Sequence, residues 1–325
     1  MTGLSDSFHR PVNYLRISVT DRCNLRCVYC MPPEGVPLLS HQDVLTYEEI
    51  CMVAQAASEL GMNKVRLTGG EPLVRAGLVK LVSMLTQIRG VDDIALTTNG
   101  VLLERFAQEL VQAGLQRVNV SLDSLRSDRF AQITRVGQLD DVLRGIEAAR
   151  SAGLKPVKTN TVVMRGINDD EVIDFAKLTL EGDWHVRFIE HMPFANGDKN
   201  SELLVPASEI KRRVEKLGNL EPTLPSGGGP AKYFRLPDAK GTIGFISPVS
   251  EHFCEECNRL RLTADGKLRT CLFSDEEIDL RQPLREGATV ADLKVLIREA
   301  VSRKPRMHKL RAGVTCKRMM TQIGG

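Results

Sequence analysis

The sequence predicts an α/β fold: a partial (βα)6 TIM-like barrel with a smaller C-terminal α+β domain that carries a second group of cysteines. Two observations predict this fold. Short β-branched runs alternate with amphipathic stretches over the first two thirds of the chain, which is typical of parallel βα units. After a stretch rich in proline and glycine, the alternation stops. A chain of 325 residues usually forms about two domains, and we place them at residues 1–225 and 226–325.

Six strands and six helices are predicted in the first domain. The strands, which are short β-branched runs, are Leu15–Val19, Lys64–Leu67, Asp93–Thr97, Arg117–Ser121, Pro156–Val162 and His185–Ile189. The helices are Tyr47–Leu60, Arg75–Ile88, Leu102–Ala113, Asp140–Ala152, Asp170–Leu180 and Pro206–Leu217. Gly61, Gly114 and Gly153 stand where three of these helices should end. Because six units are fewer than the eight that close a barrel, the barrel should be partial.

The second domain has a different pattern. The residues Glu221–Pro230 are predicted to be a linker, because glycine and proline dominate them. Four strands and one helix are predicted after the linker: Tyr233–Leu236, Thr242–Ile246, Arg259–Thr263, Lys267–Leu272 and the helix Val290–Ala300. Asp265–Gly266 separates the last two strands and is a strong hairpin signal.

Composition argues against several classes of protein. With 42% hydrophobic residues the chain can bury a core. The N-terminus has no apolar signal region, and no stretch has the roughly 18 apolar residues of a membrane helix. We therefore expect a cytoplasmic protein without membrane contact, in which most of the eight cysteines bind metal rather than form disulfides. A net charge of +3 with one Trp and four Tyr does not favour nucleic acid as a partner.

Basic residues accumulate toward the C-terminal end. No acidic residue follows Glu299, whereas seven basic residues do: Arg303, Lys304, Arg306, Lys309, Arg311, Lys317 and Arg318. The run is either a solvated tail or a sleeve for a phosphorylated ligand, and the sequence leaves both interpretations open.

Cys23, Cys27 and Cys30 form a CxxxCxxC group directly after the first predicted strand. Thiolates suit zinc and iron–sulfur clusters. Structural zinc sites and electron-transfer ferredoxins use four protein ligands, and no fourth cysteine lies nearby in the sequence. Three thiolates on a four-iron cluster would leave one iron open to a small molecule. A zinc site or a purely structural role is the alternative.

Cys254, Cys257 and Cys271 form a second group of three. Because the predicted hairpin folds Cys271 back toward Cys257, the three thiols can meet. A zinc ribbon is the alternative for this group. Of the remaining cysteines, Cys51 fits a small core residue, and the sequence assigns no role to Cys316.

The motifs that stand out follow the predicted strands. DRCNLRCVYCMP follows the first strand, TGGEP the second, TTNG the third, SLDS the fourth and HMPF the sixth. In a barrel the carboxyl ends of parallel strands meet at one rim, where the βα loops build the active site. These motifs should therefore share one site.

The motifs resemble those of a known family. The CxxxCxxC loop with Tyr29 before Cys30, and Gly69-Gly70-Glu71-Pro72 after the second strand, resemble the motifs of radical SAM enzymes, which cleave S-adenosylmethionine (SAM). DRCNLRCVYCMP, VRLTGGEPLVR, FISPVSEHFCEECNRLRLTADGKLRTCLF and the C-terminal Gly-Gly resemble the GTP 3′,8-cyclases of molybdenum-cofactor biosynthesis over nearly the whole chain. One departure is His9, where that family usually has glycine.

The resemblance implies which residues form the sites. Two [4Fe-4S] clusters would be held by Cys23, Cys27 and Cys30 and by Cys254, Cys257 and Cys271. The SAM pocket would include Tyr29, Gly70, Ser121 and Met192, and the second motif would hold the SAM amino group through its backbone and its carboxylate. GTP would contact Arg16, Arg66, Thr97, Lys158, Arg259, Leu260 and Arg261, and its base would meet the open iron of the second cluster. The Gly324–Gly325 tail would reach into the active site, and no catalytic residue is implied beyond those that hold cofactors or position the substrate.

The resemblance also implies a reaction. Such an enzyme is a lyase that converts GTP to (8S)-3′,8-cyclo-7,8-dihydroguanosine 5′-triphosphate, the first step toward molybdopterin. Cleavage of SAM by one electron would give methionine and a 5′-deoxyadenosyl radical, which would take a hydrogen atom from ribose C3′. The C3′ radical would then attack guanine C8, and an electron from the second cluster would close the reaction. Further implied are a homodimer, an electron donor of the flavodoxin or ferredoxin type, and a cyclic pyranopterin monophosphate synthase that receives the product.

Most of the implied GTP residues also make physical sense without the resemblance. Arg259 and Arg261 alternate on one strand face, and arginine makes forked, charge-assisted contacts with phosphate. An exposed strand face is the alternative. Arg16, Arg66 and Lys158 interrupt strand patterns and would aim at the lumen of a barrel, although Lys158 could instead reach water from a strand end. Met192 fits core packing as well as a SAM contact.

Three rival functions stay open at the level of sequence. A peptide-modifying radical SAM enzyme with auxiliary clusters usually has more C-terminal cysteines than this chain. A non-catalytic iron–sulfur electron carrier would need four thiolates per cluster. An RNA-binding module would need an aromatic and basic platform, which the sequence does not display.

Overall fold

The computed structural model describes residues 3–193, 202–224, 229–308, 310 and 316–324. The strands are β1 Tyr14–Ser18, β2 Lys64–Thr68, β3 Asp93–Thr98, β4 Arg117–Ser121, β5 Val157–Val163, β6 His185–Glu190, β7 Glu221–Thr223, β8 Lys232–Arg235, β9 Thr242–Ile246, β10 Arg259–Leu262, β11 Lys267–Arg269 and β12 Glu277–Asp279. The helices are α1 Tyr47–Glu59, α2 Leu78–Thr86, α3 Leu103–Gln112, α4 Ser127–Thr134, α5 Leu139–Ser151, α6 Val172–Glu181, α7 Ala207–Val214, α8 Arg281–Arg285, α9 Val290–Ser302 and α10 Met320–Ile323.

The strands of the described residues form one sheet in the order β12-β11-β10-β1-β2-β3-β4-β5-β6-β9-β8-β7. Every neighbouring pair from β10 to β9 is parallel. Antiparallel strands extend the sheet at both edges, β11 and β12 at one and β8 and β7 at the other. The predicted α/β fold with a parallel sheet is confirmed.

The C-terminal strands do not form a sheet of their own. β9 pairs with β6, and β10 pairs with β1, so the six strands of the predicted barrel gain one parallel neighbour at each edge. The first residues of the predicted linker form β7, which pairs with β8. One sheet therefore runs through both predicted domains. The domain boundary at residue 225 stays a prediction.

The strands separate apolar and polar side chains by their alternation. On β1, Leu15 and Ile17 are buried in the main hydrophobic core, where the surrounding helices pack. Tyr14 and Arg16 point to the opposite, concave face. β2 repeats the pattern, because Val65 and Leu67 enter the core while Arg66 and Thr68 face the concave side. The sheet thus buries its apolar face and keeps a polar lumen.

Local signals explain several helix boundaries. Thr46 and Glu49 form a reciprocal capping box that starts α1. Gly61, Gly114 and Gly153 follow α1, α3 and α5 closely with positive φ angles of 95°, 100° and 96°, so these predicted stops are confirmed.

The helices depart from the prediction at several places: α7 ends at Val214 rather than Leu217, the short helices α8 and α10 were not predicted, and α2 and α4 also differ. α2 begins at Leu78 rather than Arg75, because Pro72–Val74 form a short 3-10 turn and Gly77 has a φ of 75°. The sequence prediction missed α4, whose eight residues bury only Phe130, Ile133 and Thr134 and so carry a weak periodic signal.

His9 adopts a backbone conformation that favours glycine. Its φ is 61°, in the left-handed region. Its amide donates to the carbonyl of Asp6 at 3.0 Å, and the Asp6 carboxylate caps the turn by accepting from the amide of Phe8 at 2.9 Å. The departure from glycine noted in the sequence therefore falls at a position where a side chain is strained.

The basic C-terminal run follows neither single interpretation. Lys304 is buried, while Arg303 and Lys317 are exposed. Arg318 pairs with Asp265 and Glu277 rather than with solvent. Lys309 and Arg311 lie outside the described residues. Among the helices of the described residues, none has the length and apolar character needed to span a bilayer.

Candidate functional site

A cavity of about 280 Å³ occupies the concave face of the sheet. Its wall includes side chains from all eight parallel strands, for example Arg16 on β1 and Arg187 on β6. All six cysteines of the two predicted groups also line it. The fold therefore brings both cysteine groups to one chamber, although more than 220 residues separate them in the sequence.

The first cysteine loop is fixed by the end of α4. The amides of Arg26 and Val28 donate to the carbonyls of Thr134 and Ile133 at 3.0 and 2.9 Å. The Arg26 guanidinium folds back onto the Cys23 carbonyl at 2.7 Å. Because the loop is held at both its backbone and a side chain, its three thiols have fixed positions on the cavity wall.

The thiols of this loop are poorly suited to ionise alone. Burial raises the pKa of Cys23 to about 11 and also raises the pKa of Cys30. Burial and the neighbouring thiolates raise the pKa of Cys27 well above its ordinary value. A bound metal centre supplies the positive charge that would keep three such thiols ionised. Three soft donors on one cavity wall fit a four-iron cluster with an open corner.

The second cysteine group lies at the other side of the chamber. Cys254 begins a short 3-10 turn that ends at Cys257, and Cys271 follows β11. The predicted hairpin is confirmed, because β10 and β11 pair antiparallel with Arg261 opposite Arg269. The hairpin brings Cys271 close enough to Cys257 and Cys254 for their charges to interact.

The six cysteines are not spaced as ligands of a single metal ion in this structure. Within the part of the chain that the structure describes, no three His, Cys, Asp or Glu side chains group closely enough to hold one ion. That spacing does not test a multi-iron cluster, whose irons spread their ligands over several ångströms.

The Gly69-Gly70 segment packs directly on the first cysteine loop. The amide of Gly70 donates to the Thr20 carbonyl at 2.8 Å, and the amide of Glu71 donates to the Arg22 carbonyl at 2.8 Å. A Cβ at Gly70 would lie 2.5 Å from the Arg22 carbonyl oxygen. Only glycine permits this approach, so the motif sets the distance between the two loops.

Glu71 has a different position from the one that the resemblance implied. Its buried carboxylate accepts from the Leu73 amide at 3.0 Å, the Thr98 hydroxyl at 2.7 Å and the Asn99 amide at 2.6 Å. Burial raises its pKa to about 7. The side chain thus joins the loops after β2 and β3, and the backbone of Gly69 and Gly70 is the part of this motif on the cavity wall.

The four residues predicted for SAM all line the cavity: Tyr29, Gly70, Ser121 and Met192. The Tyr29 hydroxyl donates to Asp123 at 2.7 Å, and Asp123 also accepts from the Val162 amide at 2.8 Å. Burial raises the pKa of Asp123 to about 6. Met192 packs against a small apolar cluster of Phe273, Cys316, Met320 and Ile323. The structure brings these residues together without testing whether they bind SAM.

Guanidinium groups are concentrated at the floor of the cavity. Arg16 lies directly opposite Arg66 on β2 and Arg261 on β10. Burial, followed by the charge of Arg259, lowers the pKa of Arg261 to about 10. Burial and Arg261 lower the pKa of Arg16 well below its ordinary value. Such crowding of like charge is costly unless an anion binds among them.

Some of these guanidinium atoms have no partner among the described residues. They are Nη1 of Arg66, Nε and Nη2 of Arg187, and Nε of Arg259. Buried donors normally find an acceptor. Unused donors on three cationic side chains fit a polyanionic ligand such as a triphosphate.

Lys158 lies close to Arg187 and Arg66 but, unlike them, is not among the residues that line the cavity. It is only 4% exposed, and its ammonium lies 3.3 Å from the Tyr233 hydroxyl. Burial, followed by the charge of Arg187, lowers its pKa to about 7. The strand-end interpretation, in which Lys158 reaches water, is therefore wrong.

The other two predicted GTP residues differ from each other in placement. Thr97 lines the cavity. Leu260 is fully buried in the main hydrophobic core, on the opposite strand face from Arg259 and Arg261. Any contact between Leu260 and a ligand in the cavity would have to come from its main chain.

The described part of the C-terminal tail reaches the cationic floor. The Gly324 carbonyl accepts from the Arg16 guanidinium at 3.2 Å and from the Thr68 hydroxyl at 3.1 Å. Gly324 has a φ of 80°, and a Cβ there would lie 3.0 Å from Ser18. Gly325 lies outside the described residues.

Sequence reasoning missed several residues on the cavity wall, above all Arg187 and Asp123. Arg187 interrupts HVRFIE as Arg66 interrupts KVRLT, so the same signal could have found it. Gly244 lies opposite Arg187 on β9 and leaves it room, since a Cβ there would lie 3.0 Å from Arg187. Asp123 follows Ser121 in the SLDS motif but gives no distinctive signal alone.

Known proteins resemble this chain in sequence and in fold. Residues 17–179 match the Radical SAM superfamily and residues 184–310 match Molybdenum Cofactor Synthesis C. The GTP 3′,8-cyclase of Pelotomaculum thermopropionicum is 56% identical over 99% of this chain and 100% of its own. That of Moorella thermoacetica is 52% identical over 99% of this chain and 100% of its own. Streptococcus suis SuiB bound to S-adenosylmethionine superposes with a TM-score of 0.60 over 87% of this chain and 68% of its own, at 13% identity, which is a likeness of fold.

Proposed function

The chain belongs to the GTP 3′,8-cyclase family of the Radical SAM superfamily, and we propose on that basis that it converts GTP to (8S)-3′,8-cyclo-7,8-dihydroguanosine 5′-triphosphate. Membership makes it a radical SAM enzyme of molybdenum cofactor biosynthesis that uses SAM and a four-iron cluster. A second four-iron cluster, and the individual residues that hold each ligand, are part of the proposal.

One observation supports the proposal most: two cysteine trios and a floor of buried guanidiniums share one chamber. An electron carrier would need neither the chamber nor the cations. A peptide-modifying enzyme would need no concentrated triphosphate site. A chamber with three thiols on each of two sides and cations at its floor suits a nucleoside triphosphate placed between two clusters.

Cys23, Cys27 and Cys30 hold the first cluster, and Cys254, Cys257 and Cys271 hold the second. When bound, the first cluster would supply one electron for the cleavage of SAM to methionine and a 5′-deoxyadenosyl radical that can take the C3′ hydrogen of GTP, and the second cluster would supply the further electron that, with a proton, closure of the C3′–C8 bond requires. The chain contributes position. Gly70 and Ser121 shape the SAM pocket, and Asp123 fixes the Tyr29 ring through its hydroxyl.

The cationic floor fixes the other reactant. Arg16, Arg66, Arg259, Arg261 and the additional Arg187 hold the triphosphate by charge-assisted hydrogen bonds, and Lys158 contributes a further positive charge. Thr97 lies on the wall beside them. Holding the triphosphate fixes the ribose relative to the SAM pocket, and such positioning can contribute several kcal/mol of barrier reduction, about 7–11 in ideal cases.

The C-terminal tail closes the chamber at the phosphate end. Gly324 has no side chain, and it orients Arg16 through its carbonyl, which accepts from the guanidinium. We propose that the tail helps to align Arg16 and to exclude water from the reacting atoms.

The family further suggests the surroundings in which the enzyme works. We propose a cytoplasmic homodimer that receives electrons from a flavodoxin- or ferredoxin-type donor. Its product would pass to a cyclic pyranopterin monophosphate synthase. The family, and not a contact in the structure, is the basis for proposing these partners.

The test is nucleotide-dependent turnover. The protein is reconstituted anaerobically with iron and sulfide, reduced, and supplied with SAM and either GTP or ATP as the matched nucleotide. We expect 5′-deoxyadenosine and a cyclised product with GTP and only background levels with ATP. SAM cleavage that is indifferent to GTP, with no cyclised product, would contradict the proposed substrate.

A further inference from the structure

Lys304 lies beside the second cysteine group and is buried directly after α9. Only 3% of the residue is exposed. Its ammonium lies 3.3 Å from the Cys257 sulfur, 2.7 Å from the Thr270 carbonyl and 3.1 Å from the Arg259 carbonyl. An ammonium has three donors, so these three acceptors satisfy it completely.

The partners of Lys304 fix two of the three cysteines. Thr270 immediately precedes Cys271, and Arg259 lies two residues after Cys257. By bonding both carbonyls, one side chain ties β10 to the end of the hairpin that carries Cys271. The placement of Lys304 is therefore tied to the geometry of the cysteine group and not to solvent.

The charge of Lys304 lacks an obvious protein counterion. Within the described residues, the hydrogen-bond partners of Lys304 are one sulfur and two carbonyls, and no carboxylate forms an ion pair with it. A buried ammonium is costly unless a negative charge compensates it. Cys257 is the one partner of the three that can carry a negative charge, which it does as a thiolate ligand.

A second cation, Arg10, also lies beside this cysteine group. The Arg10 guanidinium donates to the Cys254 carbonyl at 2.6 Å and to the carbonyls of Arg306 and Pro305 at 2.9 and 2.7 Å. Its Nε is paired with Asp6 at 2.6 Å, so much of its charge is already compensated. Lys304 thus supplies the direct contact between a cation and a cluster sulfur.

Among the residues that the structure describes, no lysine or arginine donates to a sulfur of the first cysteine group. Within the described residues, the Leu25 amide donates to the Cys23 sulfur at 3.4 Å and the Asn99 side-chain amide donates to it at 3.9 Å, and both groups are neutral. Near this trio lies a carboxylate, Asp123, which accepts from the hydroxyl of Tyr29, the residue before Cys30, at 2.7 Å. Arg26 is a cation near this trio, but its guanidinium donates to the Cys23 carbonyl and not to the sulfur. Among the described contacts, a cation therefore donates to a ligand sulfur in the second trio, whereas the donors to sulfur in the first trio are neutral.

We propose that Lys304 is a positioning residue that sets the reduction potential of the second cluster, making that cluster easier to reduce than the first. This inference rests on the proposed function, since it assumes a cluster on Cys254, Cys257 and Cys271. Reduction adds one electron from an external donor of the flavodoxin or ferredoxin type, and no bond to Lys304 forms or breaks. A cation that donates to a ligand sulfur stabilises the more negative, reduced state.

The experiment is a potentiometric titration of the reconstituted protein, with each cluster followed by its electron paramagnetic resonance signal. Lys304→Met removes the charge and keeps most of the side-chain length. Lys304→Arg keeps the charge and donors. Arg303→Met is the matched control, because it removes an adjacent positive charge that is exposed and paired with Glu299.

We expect Lys304→Met to lower the midpoint potential of the second cluster only, by about 59 mV for a tenfold change in a one-electron equilibrium. Lys304→Arg should restore most of the shift, and Arg303→Met should move neither cluster. An unchanged second-cluster potential at full iron content would overturn the proposal. So would an equal shift of both clusters, or loss of the second cluster in the Met and Arg variants alike, which would make Lys304 a folding residue.

Failure of the proposed function would look different. The unmodified protein would then lack a second cluster signal, or would hold both clusters and not respond to GTP. The titration of the unmodified protein is therefore recorded first, and the Lys304 variants are interpreted only against its two signals.

Discussion

Lys158 shows how a single residue links ligand binding to stability. Its ammonium is buried among Arg187, Arg117 and Arg66, and burial is the main reason that its pKa falls from 10.5 to about 7. In the unfolded chain the same group keeps its ordinary pKa. A bound triphosphate would supply the missing negative charge. The ligand-free protein therefore bears a cost that the substrate relieves.

The sign of the pH dependence follows from this shift. Between pH 7 and about 10 the unfolded chain binds more protons at Lys158 than the folded chain does, so the folded state gains stability as the pH rises through that window. We expect Lys158→Met to raise the melting temperature of the ligand-free protein most at pH 7 and least near pH 10. Differential scanning fluorimetry at a series of pH values measures this difference.

The matched control for Lys158 is Lys155→Met, at an exposed position just before β5. It should leave the melting temperature nearly unchanged at every pH. GTP affinity should fall in the Lys158 variant and stay intact in the control. A Lys158 variant that is less stable than the unmodified protein at pH 7 would contradict the account of its burial.

His9 offers a second test at the same scale. With a φ of 61° it occupies the left-handed region, which costs a non-glycine residue roughly 1–2 kcal/mol. Glycine there loses more chain entropy, which offsets part of the gain. We expect His9→Gly to raise the free energy of unfolding by up to about 1 kcal/mol, measured by denaturant titration, and His9→Ala to give no gain. Destabilisation by glycine below the level of alanine would contradict this.

At the scale of elements, the site depends on two loops pressed together at the carboxyl ends of β1 and β2. Gly70 lies against the Arg22 carbonyl, and Glu71 ties the second loop to the third through Thr98 and Asn99. Neither loop could shift without breaking these contacts. The position of the first cysteine group is therefore set by packing between loops.

Gly70→Ala tests that packing. Its Cβ would lie 2.5 Å from a backbone oxygen, so the loops must separate. We expect SAM affinity of the reconstituted protein to fall at least about tenfold, which corresponds to about 1.4 kcal/mol, with little change in the circular dichroism of the helices. Gly3→Ala is the control, because no atom lies within 4 Å of its added Cβ. Equal SAM affinity for the two variants would refute the packing argument.

The elements of the barrel could be predicted from the sequence because their periodicity is regular. The six strands of the barrel and the Asp265–Gly266 hairpin lie where predicted, to within about a residue for most boundaries. Pairing of β9 with β6 and of β10 with β1 could not be predicted, because strand order depends on contacts distant in the chain. α4 was missed for its short apolar stripe, although its end fixes the first cysteine loop.

Residues of the site could be predicted where they form an unusual pattern in the sequence. Arginines that interrupt apolar strands and closely spaced cysteines give such a sign. Lys304 gave none, because it stood within a run of basic residues whose members have different surroundings. Glu71 was expected at the ligand and instead holds loops together, since its carboxylate is taken by three protein donors. Burial and partner identity decide such roles, and the sequence does not state them.

At the scale of the whole molecule, the sheet joins two remote cysteine groups across one chamber. The first follows β1, and the second lies next to β10, which is the parallel neighbour of β1. The segment 316–324 then packs between them, with Cys30, Met192 and Cys271 touching the apolar cluster of Phe273, Cys316, Met320 and Ile323. The two cysteine groups therefore lie close together. Because they share no cysteine, we expect each to bind its cluster without the other.

Independence of the clusters can be tested by removing one ligand. We expect Cys271→Ala to lose about half of the iron after reconstitution, because one of two four-iron clusters is lost, and to keep SAM binding. Cys51→Ala, at a partly buried cysteine of α1, should keep all of its iron. Loss of SAM binding in the Cys271 variant would show that our division of labour between the clusters is wrong.

The central claim is that each cysteine trio holds a four-iron cluster with one iron left open, the first for SAM and the second for GTP. Mössbauer spectroscopy of protein enriched in ⁵⁷Fe tests it most directly, with SAM and GTP added separately. We expect about eight irons per chain, with SAM altering one iron site of one cluster and GTP altering one iron site of the other. About four irons, or two clusters whose spectra respond to neither molecule, would contradict the account.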